Sequence, residues 1–220
     1  MKRTKKGKSP ENISASARAK ITARLRNASK RSEYPHLNEF KDDGRTVFPE
    51  PADLLGTFRD EFEAVNGELI IIQAKDLKGR KLKELLKKKQ VSSVYCSDDS
   101  VIKELGSEIP LESSPDKFNE MEAGVTRCEA LVARTGTIVV SAEGSGRRMN
   151  VFPPIHIILA QSSQLVPFIS DAFDLLKNKY GKDMPSQVTF VTGPSRTADI
   201  EKALVMGAHG PKEVIVILSE

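Results

Sequence analysis

Apolar residues recur along this chain in two alternating rhythms. Between residues 12 and 30, Ile13, Ala17, Ile21, Leu25 and Ala28 step by four, four, four and three. That is the period of one helical face, with Arg18, Arg24 and Arg26 lying off it. Ser14 or Ser16 can cap its start. A polar, turn-rich connection follows at 32–46. Pro49 and Pro51 then open a second helix whose stripe is Leu54, Leu55, Phe58, Phe62 and Val65, and Asn66-Gly67 ends it. From there short β-branched runs alternate with amphipathic stretches. Strands are predicted at 68–73, 91–96, 156–160, 187–192 and 214–218, with two more near 128–133 and 136–141 joined by a turn at 134–136. Helices are predicted at 76–89, 98–105, 164–180 and 195–204. Residues 107–124 read as an acidic surface loop with a helical turn, and 143–148 (EGSGRR) as a flexible loop.

Strands alternating with helices predict an α/β fold, a mostly parallel sheet flanked by helices with an N-terminal helical extension. The pair of strands between 128 and 141 is one antiparallel excursion. The expected organisation is a disordered basic tail at 1–11, a helix and connection at 12–48, and an α/β domain at 49–220.

Composition narrows the class. With 39% hydrophobic and 29% charged residues, 220 residues suit a globular protein with a real core. No apolar run approaches the roughly 18–20 residues that a membrane span needs. No apolar segment follows the basic N-terminus as in a secretory signal, so the expected location is the cytoplasm. Cys96 and Cys128 are the two cysteines, too few for a four-thiolate iron–sulfur cluster or a Cys/His zinc site within this chain. They are expected to be small buried hydrophobes. Residues 1–31 hold eleven Lys/Arg against Glu11, a formal +10 within an overall +4, which leaves −6 for the remainder. Such a block can attract a polyanion or simply be a solvated terminus. No nucleic-acid reader motif accompanies it, and nucleic acid is not the expected partner.

The sharpest candidate chemistry lies at 188–204, VTFVTGPSRTADIEKAL, where a strand runs into Gly193-Pro194-Ser195 and then into the predicted helix. Parallel sheets bind ligands at the C-terminal ends of their strands, and a helix N-terminus there suits phosphate or carboxylate. Gly193 lets the backbone come close, Ser195 and Thr197 add hydroxyls, Arg196 can fork to two oxygens, and Asp199 occupies the first turn. The same residues equally serve as helix caps. The loop is neither a Walker A sequence nor G-x-G-x-x-G. A second cluster is Arg134-Thr135-Gly136-Thr137 followed by 141–148. Here Glu143, Arg147 and Arg148 can wall a pocket and the two arginines can clamp a carboxylate, or the whole can be a tight turn and a solvated loop. His156 and His209 can titrate near neutrality and move a proton, or anchor loops by hydrogen bonds. His36 falls in the polar connection, and the histidine spacing supports no metal triad.

GPSRTADIEKALVMGAHGPKEVIVIL and ARTGTIVVSAEGSGRRMNVFPPIHIILA resemble the two signatures of the lactate-utilization (LUD) domain family, and SASARAKITARLRNA resembles that family's amphipathic start. The resemblance covers most of 14–220. It implies the fold shared with ribose-phosphate isomerase, glucosamine-phosphate deaminase, CoA transferases and formyltetrahydrofolate cyclo-ligase. It implies a place in a multi-protein system oxidising L-lactate to pyruvate, as a non-redox subunit beside partners that carry the iron–sulfur clusters. The ligand implied is a small carboxylate or phosphate-bearing molecule at the strand C-terminal ends. The alternative is a stand-alone enzyme on a sugar-phosphate, CoA-linked or folate metabolite. The family's motif positions fall on Thr135, Gly136, Thr137, Pro153, Pro154, His156, Gly193, Pro194, Ser195, Thr197, Asp199, Ile200, Glu201, His209 and Gly210. With Glu143, Arg147 and Arg196 these supply the candidate site residues. No catalytic role, metal ligand or bound cofactor is assigned. Arg134 stands where the family commonly has an acid, and Asn150 where a serine is more usual.

Overall fold

Glu213–Ser219 and Ile155–Gln161 are almost wholly apolar, so these strands need cover on both faces of whatever sheet they join. The computed structural model describes residues 10–29, 48–73, 78–105, 108–198, 204–207 and 209–220. The chain divides into a unit at 1–49 and a unit at 50–220. In the first, α1 (Pro10–Ser29) is the expected helix, and Ile21 and Leu25 of its stripe are exposed. The expected disordered tail at 1–9 and the connection at 32–46 lie outside the described residues.

The second unit begins with α2 (Leu54–Ala64), capped by Asp53, whose Oδ1 accepts from Gly56 N at 2.9 Å. Then follow β1 (Glu68–Ile72), α3 (Lys78–Lys88), β2 (Val94–Tyr95), α4 (Asp99–Leu105) and a 3-10 turn at Pro115–Glu120. Next come β3 (Ala123–Arg127), β4 (Ala130–Val132), β5 (Thr137–Ser141), β6 (Ile155–Gln161) and β7 (Leu165–Val166). The chain closes with α5 (Ile169–Tyr180), β8 (Val188–Val191), β9 (Arg196–Ala198), β10 (Leu204–Met206) and β11 (Glu213–Ser219).

The main sheet is parallel, in the order β1-β11-β6-β3-β2, with Ile215 opposite Ile157 at its centre. Its odd-numbered side chains, Ile157, Leu159, Ile215 and Ile217, pack with Leu82, Leu85 and Val101 of α3 and α4. Its even-numbered ones, Ile158, Ala160, Val214, Val216 and Leu218, meet Phe58 and Phe62 of α2 and Leu131, Ile138 and Val140 of a second sheet. That second sheet, β7-β4-β5-β8, is mixed, with β5 antiparallel to both β4 and β8. Its outer face packs Val132 and Val139 on Ala172 and Leu176 of α5. Among the described residues no helix is long and apolar enough to cross a membrane.

Three segments depart from the sequence pattern. β3 begins at the end of the predicted loop and runs through 125–127, where no element is predicted; Gly124 leaves room for Pro153 and Met149, since a Cβ there would lie 2.5 Å from Pro153 Cγ. The helix predicted from 164 starts at Ile169, because Leu165 and Val166 pair with β4 and Pro167 interrupts the run. The predicted helix at 195–204 is, over its described residues, an antiparallel hairpin, with Thr197 opposite Val205. Its path is extended because Ser195 N donates to Pro211 O and Ser195 O accepts from Gly207 N, both at 2.8 Å. Residues 199–203 lie outside the described set.

Gly136 ties the second sheet to α2. Its φ is +57°, and a Cβ there would lie 2.4 Å from the backbone N of Phe62. Gly136→Ala is therefore expected to cost at least about 2 kcal/mol, read as a lowered midpoint in urea unfolding.

Candidate functional site

The expected site separates into two places at opposite ends of the parallel strands. Ile155 and Glu213 are the first residues of β6 and β11, and Pro154 O accepts from Lys212 N at 2.8 Å and Glu213 N at 3.2 Å beside them. Ser195 is bonded to Pro211 at this edge, and a Cβ on Gly210 would lie 3.1 Å from Ser195 Cβ. Gly193, with φ +80°, sits against Val65 O just before β1, and the Arg196 guanidinium donates to the same carbonyl. Thr137 Oγ1 lies 2.7 Å from Thr135 Oγ1 and 2.8 Å from Thr192 Oγ1, tying the start of β5 to the end of β8. The expectation that Gly193, Pro194, Ser195, Arg196, Thr135, Gly136, Thr137 and His209 stand at the strand C-terminal ends is thus corrected. They gather around the N-terminal edge, because the chain reaches the start of β11 from the hairpin and the start of β6 from Pro153-Pro154. The helix whose N-terminus was to hold the anion is replaced by β9. His209 is exposed, Pro194 is buried, Thr197 lies in β9, and Asp199, Ile200 and Glu201 fall outside the described residues.

His156 is fully buried on β6, with Nε2 2.8 Å from Thr126 Oγ1 and Nδ1 without a partner among the described residues. Burial pushes its pKa down to about 4, so at neutral pH it is an uncharged core residue closed to solvent. Asn150 is also buried and donates to Thr189 Oγ1 at 3.4 Å. The arginine clamp does not form. Arg147 Nε donates to Ser186 Oγ at 3.0 Å, whereas the Arg148 guanidinium stacks 3.8 Å over the Phe118 ring.

The C-terminal edge carries a polar cleft of about 210 Å³. Arg127, the last residue of β3, forms one wall; its Nη2 donates to Glu104 Oε2 at 2.5 Å and its Nε to Ser100 Oγ at 3.1 Å. Asp98 follows β2 and caps α4, accepting from Ser100 N at 2.9 Å and Val101 N at 3.3 Å. The loop bearing Glu143 and Gly144 lies close against it, since a Cβ on Gly144 would come within 2.9 Å of Asp98 Oδ2. Gln164, after β6, donates to Cys128 O at 2.5 Å and accepts from Gln161 N at 2.8 Å.

At the centre of the cleft is Glu129, its side chain only 7% exposed. It accepts from Ser141 Oγ at 2.6 Å, Lys179 Nζ at 2.7 Å and Tyr180 Oη at 2.7 Å. Burial opposes its ionisation, but these three donors outweigh burial and hold the carboxyl below its ordinary pKa. Burial, reinforced by the hydrogen bond to Glu129, raises the Tyr180 phenol. For Lys179 burial pulls downward, and the bonds to Glu129 and Tyr180 together with their charges more than offset it, leaving the ammonium above its ordinary pKa. Burial pushes the Cys128 thiol up to about 12 and that of Cys96 to about 11, so neither is a thiolate near neutrality. Among the described residues no group of three or more His, Cys, Asp or Glu side chains could hold a metal ion. The cleft suits binding better than acid–base work: an ionised carboxylate with a lowered pKa is a weak base, and Arg127 and Lys179 retain further N–H donors for a ligand. Of the described residues among the sequence candidates, Glu143 alone lines it. The one local sign of Glu129 was a charge set in the apolar run CEALVA, and nothing in the sequence links it to Lys179 fifty positions on.

Two stacked sheets with helices outside them, and a polar cleft at the carboxyl edge of the parallel one, define the class as α/β with its pocket at the strand ends. Residues 111–219 match the LUD domain, and this segment of the chain belongs to that family. Over 106 residues it is 37% identical to Lactate utilization protein C of Bacillus velezensis, covering 47% of this chain and 44% of that protein. Over 107 residues it is 39% identical to the protein of the same name from Bacillus licheniformis, covering 47% and 45%. The matched segment thus spans less than half the length of these relatives. A longer match, 28% identical over 188 residues and covering 76% and 78%, links it to Lactate utilization protein C of Geobacillus thermodenitrificans. The crystal structure of a DUF162 family protein from Deinococcus radiodurans shares the fold, with a TM-score of 0.59 and 18% identity over 76% of this chain and 96% of that one.

The buried histidine makes stability depend on pH. The unfolded chain protonates His156 near 6.5, while the folded protein refuses the proton until about 4. The unfolded state therefore binds more protons in that window, and stability falls as pH drops through it, by on the order of 3 kcal/mol. Urea midpoints measured from pH 7 to 4 are expected to show this slope, and His156→Gln to flatten it.

Proposed function

We propose that this chain serves lactate utilization as a non-redox subunit of a multi-protein lactate-oxidising system, and that it holds a small carboxylate in the cleft around Glu129. The observation that carries the ligand reading is the cleft itself: a small polar recess at the carboxyl ends of parallel strands, lined by two cations with unused donors. Lys179 and Arg127 would bind the carboxylate, and the Glu129–Tyr180 pair would meet an adjacent hydroxyl. A phosphate group would use the same donors. Similarity to proteins named Lactate utilization protein C supports the pathway. With two cysteines in the sequence against the four thiolates a cluster usually needs, we assign the iron–sulfur clusters to partner subunits.

Deletion of the gene is expected to abolish growth on L-lactate and spare growth on glucose, with affinity purification of the chain recovering a cysteine-rich partner. In thermal-shift assays L-lactate or pyruvate at a hundred times its dissociation constant is expected to add about 2.7 kcal/mol of stability. Lys179→Ala is expected to weaken that binding about tenfold or more. Normal growth of the deletion strain on lactate overturns the pathway. A response to sugar phosphates, CoA esters or folates in place of lactate and pyruvate overturns the ligand.

A further inference from the structure

β1 is the outermost strand of the parallel sheet, and among the described residues no strand pairs with its far side. Glu220 N donates to Ile72 O at 3.0 Å, so Ile72 turns its main-chain groups toward β11. Main-chain groups alternate sides along a strand of a parallel pair, so Leu69 and Ile71 turn theirs outward. Of the usual defences of an exposed edge β1 carries one charge, Glu68 at its first residue; Leu69, Ile70, Ile71 and Ile72 include no proline, no charge and no bulge.

A groove of about 400 Å³ runs between this edge and α3, with Ile70 and Leu85 in its walls and Lys81 and Lys88 on its rim. The two acids beside it are already paired, although Glu68 shares its lysine, Lys89, with Glu213. Glu68 lies 3.0 Å from Lys89, and Glu84 lies 3.2 Å from Lys81. Arg80, Lys83, Lys87 and Lys88 are exposed on α3 and have no ion-pair partner among the described residues. The groove thus combines main-chain donors and acceptors without a strand partner among the described residues, apolar walls, and in Lys88 a lining cation without an ion-pair partner among them, beside the exposed Arg80, Lys83 and Lys87 of α3.

We infer that this edge takes up an extended, acidic segment of a partner protein as a sixth strand. The segment bonds through its main chain to Leu69 and Ile71 and sets an apolar side chain on Ile70 and Leu85. Its carboxylates then face Lys88 and the outer cations of α3. A nucleic acid would satisfy the cations but could not match alternating main-chain donors and acceptors. A second copy pairing β1 with β1 about a two-fold axis would place two basic α3 helices beside one seam.

The probe is a short synthetic peptide of alternating glutamate and valine, with a lysine–valine peptide as control, followed by amide hydrogen exchange and fluorescence anisotropy on the full chain. The acidic peptide is expected to slow exchange at Leu69 and Ile71 and to bind more weakly as salt rises. Lys88→Glu, an exposed change whose fold is checked by circular dichroism, is expected to weaken binding about threefold. Protection confined to other amides, or equal binding of the lysine–valine peptide, overturns the inference. So does protection of Leu69 and Ile71 in the free protein together with a concentration-dependent dimer in sedimentation, which assigns the edge to a second copy. An oligonucleotide that binds where the acidic peptide does not also overturns it.

Discussion

The whole α/β unit is organised by the need to bury both faces of β6 and β11. Val214, Val216 and Leu218 point one way and Ile215 and Ile217 the other, and all five are essentially inaccessible to water. A strand apolar on both sides cannot form a solvent-facing surface, so the sheet needs a layer above and a layer below. α3 and α4 supply one. The other is composite, with Phe58 and Phe62 of α2 beside the inner face of the second sheet. That sheet then has an outer face of its own to cover, which α5 does through Ala172 and Leu176.

The same requirement decides where polar groups can lie. Between two apolar layers an ionised side chain has no partners, so charge moves to the strand ends, where loops bring donors together. Glu129 illustrates this. It is as buried as many core residues, yet its carboxylate is surrounded by a serine, a lysine and a tyrosine from β5 and α5. His156 and Thr126 are the exception within the layers, and burial keeps the imidazole neutral there. The two ends of the sheet consequently differ. The amino-terminal edge is a knot of main-chain bonds among the glycine- and proline-rich segments, and the carboxyl edge is an open, charged recess. The signatures that mark the family sit mainly in the knot, where Gly136 and Gly193 let segments approach backbone closely.

Hydrophobic periodicity by itself determined α1, α2, most of α3 and α4, the central strands β6 and β11, and the antiparallel β4–β5 pair. It could do so because periodicity reports which face of a local segment is buried, and a two-layered core rewards every such face. The motif resemblance determined the family. Tertiary structure alone decided the rest. The segment at 195–204 has a helical pattern of residues, but Ser195 is held extended by Pro211 and Gly207, partners more than ten positions away. β3 carries a short, glycine-containing run that becomes a strand only because β2 and β6 flank it. The end of the sheet at which each motif lies depends on strand direction and order, which no local pattern encodes. Glu129 and Lys179, fifty residues apart, meet through the packing of α5 on the second sheet. Periodicity is a property of neighbours in sequence, whereas a cleft is made by residues that only folding makes neighbours.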